Sequence, residues 1–146
     1  MTTGERTDPY LAARYQVQLD ELIVAGFTTV EGLEVELETE AYEEGGTNAY
    51  THTLPTRVSH GTVTLARGVG DSDELWTWMQ AGIEGPPERK TGQIILQNAS
   101  GESVRGWEFR DGFPVRWEGP ELAADRSDIA IERLEIAHHG LEQYEI

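Results

Sequence analysis

LARGVGDSDELWTWM, residues 65–79, runs from a strand-like segment through two glycines into a helix-like one, and it admits three readings. Gly68 and Gly70 ahead of a helix hint at a phosphate-cradling loop. Asp71, Asp73 and Glu74 hint at a cation site. The third reading is a capped turn that serves only the fold. A dinucleotide loop needs G-x-G-x-x-G, and Asp73 stands where the third glycine belongs, bringing negative charge to the phosphate. A Walker loop needs Gly-Lys-Ser/Thr, which the chain lacks. A calcium loop needs more oxygen donors after Asp73, but the sequence turns into Leu75-Trp76. The capped turn remains. Asp71 or Ser72 is the expected N-cap. With Asp71 in that place Glu74 completes a capping box, an arrangement that stabilises by about 1 kcal/mol. The helix is expected from about Ser72 to Ala81, with Leu75, Trp76 and Met79 on its buried stripe.

On either side of this segment the chain alternates with a period of two, the mark of half-buried strands. Tyr15, Val17 and Leu19 form one such set, and Leu33, Val35 and Leu37 in VEGLEVELE a second, after an expected break at Gly26–Thr28. Thr62–Leu65 and Gln93–Leu96 follow, and Asn98–Gly101 is a turn into Ser103–Phe109. There the apolar phase slips at Gly106, which predicts a bulge. Phe113, Val115 and Trp117 alternate again. The last strand, Asp128–Ala137, buries Ile129 and Ile131 and then switches to Leu134 and Ile136, a second predicted bulge. Many short strands with one helix specify a mainly-β sandwich or barrel with one flanking α-helix. A single domain over residues 14–146 is expected, preceded by a polar, flexible arm over residues 1–13.

Glu38–His60 does not fit a compact core. Unstructured loops beyond about 12–15 residues are uncommon unless they are functional. Tyr42, Tyr50 and Leu54 are too apolar for a linker, so the segment reads either as a long protruding hairpin arm that packs on another molecule or as a mobile surface loop.

Charge excludes several functions. There are 27 acidic residues against 11 basic, and Lys90 is the lone lysine. Such a surface repels nucleic acid and anionic membranes. An acid-rich, lysine-poor domain with ordinary apolar patterning points to work in concentrated salt, where screening shortens to about 3 Å at 1 M. There is no cysteine, and no apolar run approaches the roughly 20 residues of a membrane span. Glu34, Glu36 and Glu38 share one strand face, as a solvated face would. His52, His60, His138 and His139 show no metal-ligand spacing, and no serine sits in a G-x-S-x-G elbow. Asn98-Ala99-Ser100 is a formal glycosylation sequon in a hairpin-tip context. Trp76, Trp78, Trp107 and Trp117 leave a second reading open, a monomeric carbohydrate-binding β-sandwich. No catalytic, cofactor-binding or metal-binding residues are assigned.

Several segments in one order resemble the inner-tube proteins of contractile phage tails and phage-tail-like contractile injection systems. They are FTTVEGLEVELETEAYEEGGTN, TLP, GTVTLARGV leading into LWTWM, RKTGQIILQNASGE, WEFRDGFPVRWEGPEL and DIAIERLEIAHHGLE. The resemblance runs from about residue 10 to the end. It implies a tail-tube-type β-barrel whose protomers form six-membered rings, stacked as a conduit for genome or effector cargo inside a contractile sheath. It implies no enzymatic activity and no cofactor. The implied partners are further copies of the chain, the sheath, baseplate or initiator and terminator proteins, and the cargo; assembly would occur in the cytoplasm before release of the particle. The unexplained segment then acquires a role, as an inter-ring arm carrying Tyr42, Glu44, Gly45, Gly46, Asn48, Tyr50, Leu54 and Pro55. The lysines common on the family's arm and RG strand are replaced by residues such as Thr56, His60 and Ala66.

Overall fold

In the computed structural model residues 9–20, 22–24, 26–43 and 51–145 are described. They form β1 (Tyr15–Leu19), β2 (Leu22–Val24), β3 (Phe27–Glu31), β4 (Val35–Glu43), β5 (Thr51–His60), β6 (Val63–Gly68), α1 (Glu74–Glu84), β7 (Lys90–Gln97), β8 (Ser103–Glu118), β9 (Ile131–Ala137) and β10 (Leu141–Glu145). Their pairings are antiparallel. The strands run in the order β2-β1-β7-β8-β9-β6-β3, with β10 also on β8, while β4 and β5 pair with each other alone.

The long strand β8 joins two layers. Its Arg105–Phe109 part lies between β7 and β10, and its Phe113–Glu118 part pairs with β9. At the corner between them Asp111 takes φ +54°, and a Cβ on Gly112 would strike the Phe109 ring. The layers enclose Val17, Leu19, Ile94 and Phe109 together with Val63, Leu65, Leu134 and Ile136, and Leu75 and Trp78 of α1 join the same core. Each such side chain contributes about 1.5–3 kcal/mol by leaving water. The sheet stops short of closing into a barrel. Where β1 and β3 come near, the Tyr15 hydroxyl donates to the Phe27 carbonyl at 2.9 Å instead of a ladder forming.

Several expectations need correction. The break expected over Gly26–Thr28 is confined to Gly26, at φ +87° between β2 and β3, because Phe27–Glu31 is already strand. A second break falls at Gly32, in the left-handed region at φ +89° and so close to Thr62 that a Cβ would lie 2.0 Å from its carbonyl oxygen. VEGLEVELE is therefore divided between two sheets, with Val35 and Leu37 exposed. Gly106 is not a bulge: register continues through it on both sides, and its missing side chain makes room for the Tyr144 ring opposite. β8's irregularity towards β9 lies between Pro114 and Arg116.

The last strand does not change phase either. It starts at Ile131, leaving Ile129 77% exposed, and Glu132, Leu134 and Ile136 are buried in one alternation. The apolar pattern broke because a carboxylate occupies an inward position. Helix α1 begins at Glu74 and continues to Glu84, later at both ends than its periodicity implied.

Candidate assembly surface and the node behind it

Register across β6 and β9 sets Arg67 directly opposite Glu132. Arg67 Nε donates to Glu132 Oε1 at 2.9 Å, Nη1 to Glu74 Oε1 at 3.0 Å and Nη2 to the Ser72 carbonyl at 3.2 Å. Trp117 Nε1 donates to the other Glu132 oxygen at 3.0 Å, and Phe27 lies 5.9 Å from the guanidinium. One cation thus binds two strands and the start of the helix, and an indole from β8 completes the set. Arg67 and Glu132 are 3% and 5% exposed. Burial of an ion pair is tolerable only where hydrogen bonds satisfy both partners, as here. Burial works against the Arg67 charge, but the bonds to Glu74 and Glu132 outweigh it and raise its proton affinity. Arg67 also holds the Glu74 carboxyl down at about 2, against the opposing effect of burial and with help from the Glu74 backbone N–H and Ser72.

The helix start therefore differs from the expected capping box. Asp73 stands at the N-cap with no side-chain bond, Asp71 is exposed, and Glu74 turns towards Arg67. Leu75 is fully buried and Met79 packs on the core. Trp76, expected in the core, is 38% exposed and meets Trp117 edge-on at 4.9 Å. Trp78 is the buried tryptophan, at 3%, and donates to the Glu88 carbonyl at 2.6 Å. The four tryptophans do not form one platform, since Trp107 lies on the other part of β8 and bonds to Gln143.

The ribbon of β4 and β5 has the opposite character. Leu37 pairs with Val58 and Val35 with His60, and beyond a register shift at Glu38/Thr39 the partners are Thr39 with Pro55 and Ala41 with Thr53. Alternation puts these eight on one face, to which the register adds Glu43 opposite Thr51 at the far end. The other face carries Glu36, Glu38, Glu40 and Tyr42 against Ser59, Arg57, Leu54 and His52, with Arg57 bonded to Glu38 and Tyr42 stacked on His52 at 5.2 Å. Val35, Leu37 and Val58 are more than half exposed. Of the residues assigned to the arm, Tyr42, Leu54 and Pro55 lie on this ribbon; Glu44, Gly45, Gly46, Asn48 and Tyr50 lie outside the described residues. A two-stranded ribbon with an unpaired apolar face is marginal alone and gains from a neighbour.

The root of the ribbon is tight. Gly32 crosses the Thr62 backbone with no room for a Cβ, and Gly61 lies against the exposed Glu34 side chain. His60, the last residue of β5, packs its ring 5.2 Å from that of buried His138, which also lies 5.8 Å from Phe109. The Gly140 N–H donates to His138 Nδ1 at 3.2 Å, while His138 Nε2 and His60 Nδ1 are buried without a partner. Burial, and then the neighbouring His60, lower the proton affinity of His138.

Strands β2, β3 and β10 each end a path of the sheet and leave a backbone edge open to another strand. Among the described residues no three carboxylates or imidazoles gather as a metal site would require. Sequence reasoning missed Arg67, Glu132, Trp78 and the two stacked histidines. The available signal was that Arg67 continues the inward alternation of Val63 and Leu65, as Glu132 does that of Leu134 and Ile136.

The family described as T4-like virus tail tube protein gp19 matches residues 11–142. No curated protein sequence matches the chain. Among solved structures the chain is similar to one from the anti-feeding prophage cap (AFP tube terminating cap), with 23% identity, TM-score 0.91, and 99% of this chain and 97% of that one covered. It is similar to one from the PVC sheath-tube complex, an extracellular contractile injection system in the extended state, with 24% identity, TM-score 0.87 and coverage of 94% and 93%. Hcp1 from Flavobacterium johnsoniae shares the fold at 14% identity, with TM-score 0.64 and coverage of 91% and 98%.

Proposed function

The chain belongs to the T4-like virus tail tube protein family, and from that premise we propose that it is the inner-tube protomer of a contractile tail or injection system, built as six-membered rings stacked into a conduit. The observation that carries this reading is the β4–β5 ribbon, one face of which has exposed Val35, Leu37 and Val58 side by side near its root, available to a second copy. The open edges of β2, β3 and β10 offer pairing sites to neighbours within a ring, and the ribbon reaches the adjacent ring. Residues Tyr42, Leu54 and Pro55, together with Glu44, Gly45, Gly46, Asn48 and Tyr50, are assigned to the inter-ring arm. The role is structural rather than catalytic. A sheath surrounds the tube, baseplate and terminator proteins bound its ends, and genome or effector cargo passes through it. Assembly takes place in the cytoplasm before the particle leaves.

The excess of acidic residues adds a condition: copies of net charge −16 repel one another unless salt screens them. We read this as the mark of a halophilic source. Negative-stain microscopy of the purified protein across a salt series tests the reading. Rings or tubes at molar salt that disperse at low millimolar salt are expected. Single protomers at every salt concentration would overturn the tube reading, and tubes equally intact at both extremes would overturn the salt condition.

A further inference from the structure

We propose that the His60–His138 pair is a proton-sensitive latch at the root of the arm, closed while His138 is neutral and opened when it takes up a proton. The effect on assembly rests on the arm being the contact between rings; the latch itself does not. His60 ends β5 and is followed at once by Gly61 and by Thr62, which the Gly32 backbone crosses with no room for a Cβ. A change at His60 therefore redirects the whole ribbon. His138 is fixed on the opposing side by the Gly140 N–H at Nδ1 and by the Phe109 ring. Because Nδ1 accepts that bond, the proton of neutral His138 sits on Nε2, which finds no acceptor in hydrogen-bond geometry. A charge on His138 would stand desolvated beside the His60 ring, and the favourable influence of the Gly140 and Gly61 backbone offsets only part of that.

The other ionisable groups around the pair are committed to other partners or directed at the stem. His139, on the β9–β10 turn, lies 3.6 Å from Asp111 of β8. Arg110 of β8 pairs with Glu142 at 3.1 Å beside Gly140. On β9, Glu135 accepts from the Thr62 hydroxyl at 2.7 Å, and on the incoming stem Glu34 lies against Gly61. No hydrogen bond links any of these carboxylates to either ring among the described residues.

The sign follows from the lowered proton affinity of His138. The opened root binds protons with ordinary histidine affinity, at a pKa of about 6.5. The closed latch is fully stable above that value and loses stability as pH falls through it towards the lowered pKa of the closed state. Acidification therefore frees the arm before ordinary carboxylates titrate.

Hydrogen exchange of the Gly61, Thr62 and Val63 amides in dispersed full-length protomers, corrected for intrinsic rates, reads the root directly. Between pH 7.5 and 5.5 the opening constant of the wild type should rise by up to about tenfold, whereas that of His138→Phe should change by less than about twofold. An equal pH response in both proteins overturns the latch. Should His138→Phe fail to fold, ring-nitrogen NMR of the wild type decides instead: a His138 midpoint below that of an ordinary histidine supports the latch, and one at or above it overturns it. In microscopy, wild-type tubes should come apart at pH 5.5 and His138→Phe tubes should persist. Leu37→Glu at pH 7.5 separates the two ideas: normal stacking by that variant removes the docking reading, while exchange at the root still decides the latch.

Discussion

The Arg67 node and the β4–β5 ribbon invert the usual distribution of polarity in opposite ways. At the node charge is inside, and every nitrogen of the guanidinium is engaged by Glu132, Glu74 or Ser72. On the ribbon hydrocarbon is outside, and Leu37 opposite Val58 is more than half exposed. The first inversion is resolved within one protomer, so it serves the fold. The second is left open among the described residues, which is the ground for proposing that the ribbon serves assembly. Polarity in the wrong place is informative only together with its partners.

The contrast can be broken most severely at Glu132. Glu132→Ala leaves Arg67 buried beside a vacancy and the Trp117 N–H without its acceptor, and should cost about 3–5 kcal/mol in denaturant unfolding. Pairing it with Arg67→Met should recover most of the loss, since apolar replacements for a buried ion pair are often neutral. A cost below about 1 kcal/mol for the single change would mean that the pair is not the internal support described.

The helix sharpens the contrast next. Trp78→Ala should cost about 3–5 kcal/mol, as for a fully packed tryptophan. Trp76→Ala, losing mainly an edge contact with Trp117, should cost nearer 1 kcal/mol. Equal costs would contradict the assignment of inner and rim tryptophans.

Smaller still is the contribution of half-exposed Glu74, which depends on pH. Its carboxyl is lowered from an ordinary value near 4.3 to about 2. The stabilisation is fully present above the ordinary value and is lost as pH falls towards 2. Unfolding curves of the wild type and Glu74→Gln should thus converge over that interval. A gap unchanged at pH 2 would remove the charge from the explanation.

The ribbon should give the smallest effect on the protomer. Val58→Asp should shift unfolding by no more than about 0.5 kcal/mol, because Val58 is more than half exposed. The same change should prevent tube formation in negative stain. Destabilisation comparable to that of Glu132→Ala would erase the distinction between the two regions.

The half-buried strands were legible because water on one face and core on the other enforce alternation, as in β1 with Val17 and Leu19 and in β7 with Ile94. The mainly-β architecture and its one helix followed from that alone. The same rule misread β9: reading Glu132 as outward forced a bulge that does not exist. The start of the helix was misread for a related reason, since Glu74 serves Arg67, seven residues earlier, rather than the local backbone. The ribbon was legible only as a segment too long and too apolar for a linker, because with both faces open its strands beyond Leu37 carry no buried alternation. The histidine pair was illegible, because His60 and His138 meet only after the stems cross and β9 turns into β10.

Strand β8 has a mechanical consequence. One uninterrupted backbone belongs to both layers, so tension applied to one reaches the other through covalent bonds, not only through side-chain friction. A push arriving at the ribbon enters by β6, crosses the ladders to β9 and β8, and is carried round the Asp111 corner into β7 and β1. A thin-walled column built from such units would stiffen as a whole under thrust, its layers unable to slip past each other without first shearing ladder bonds along that path.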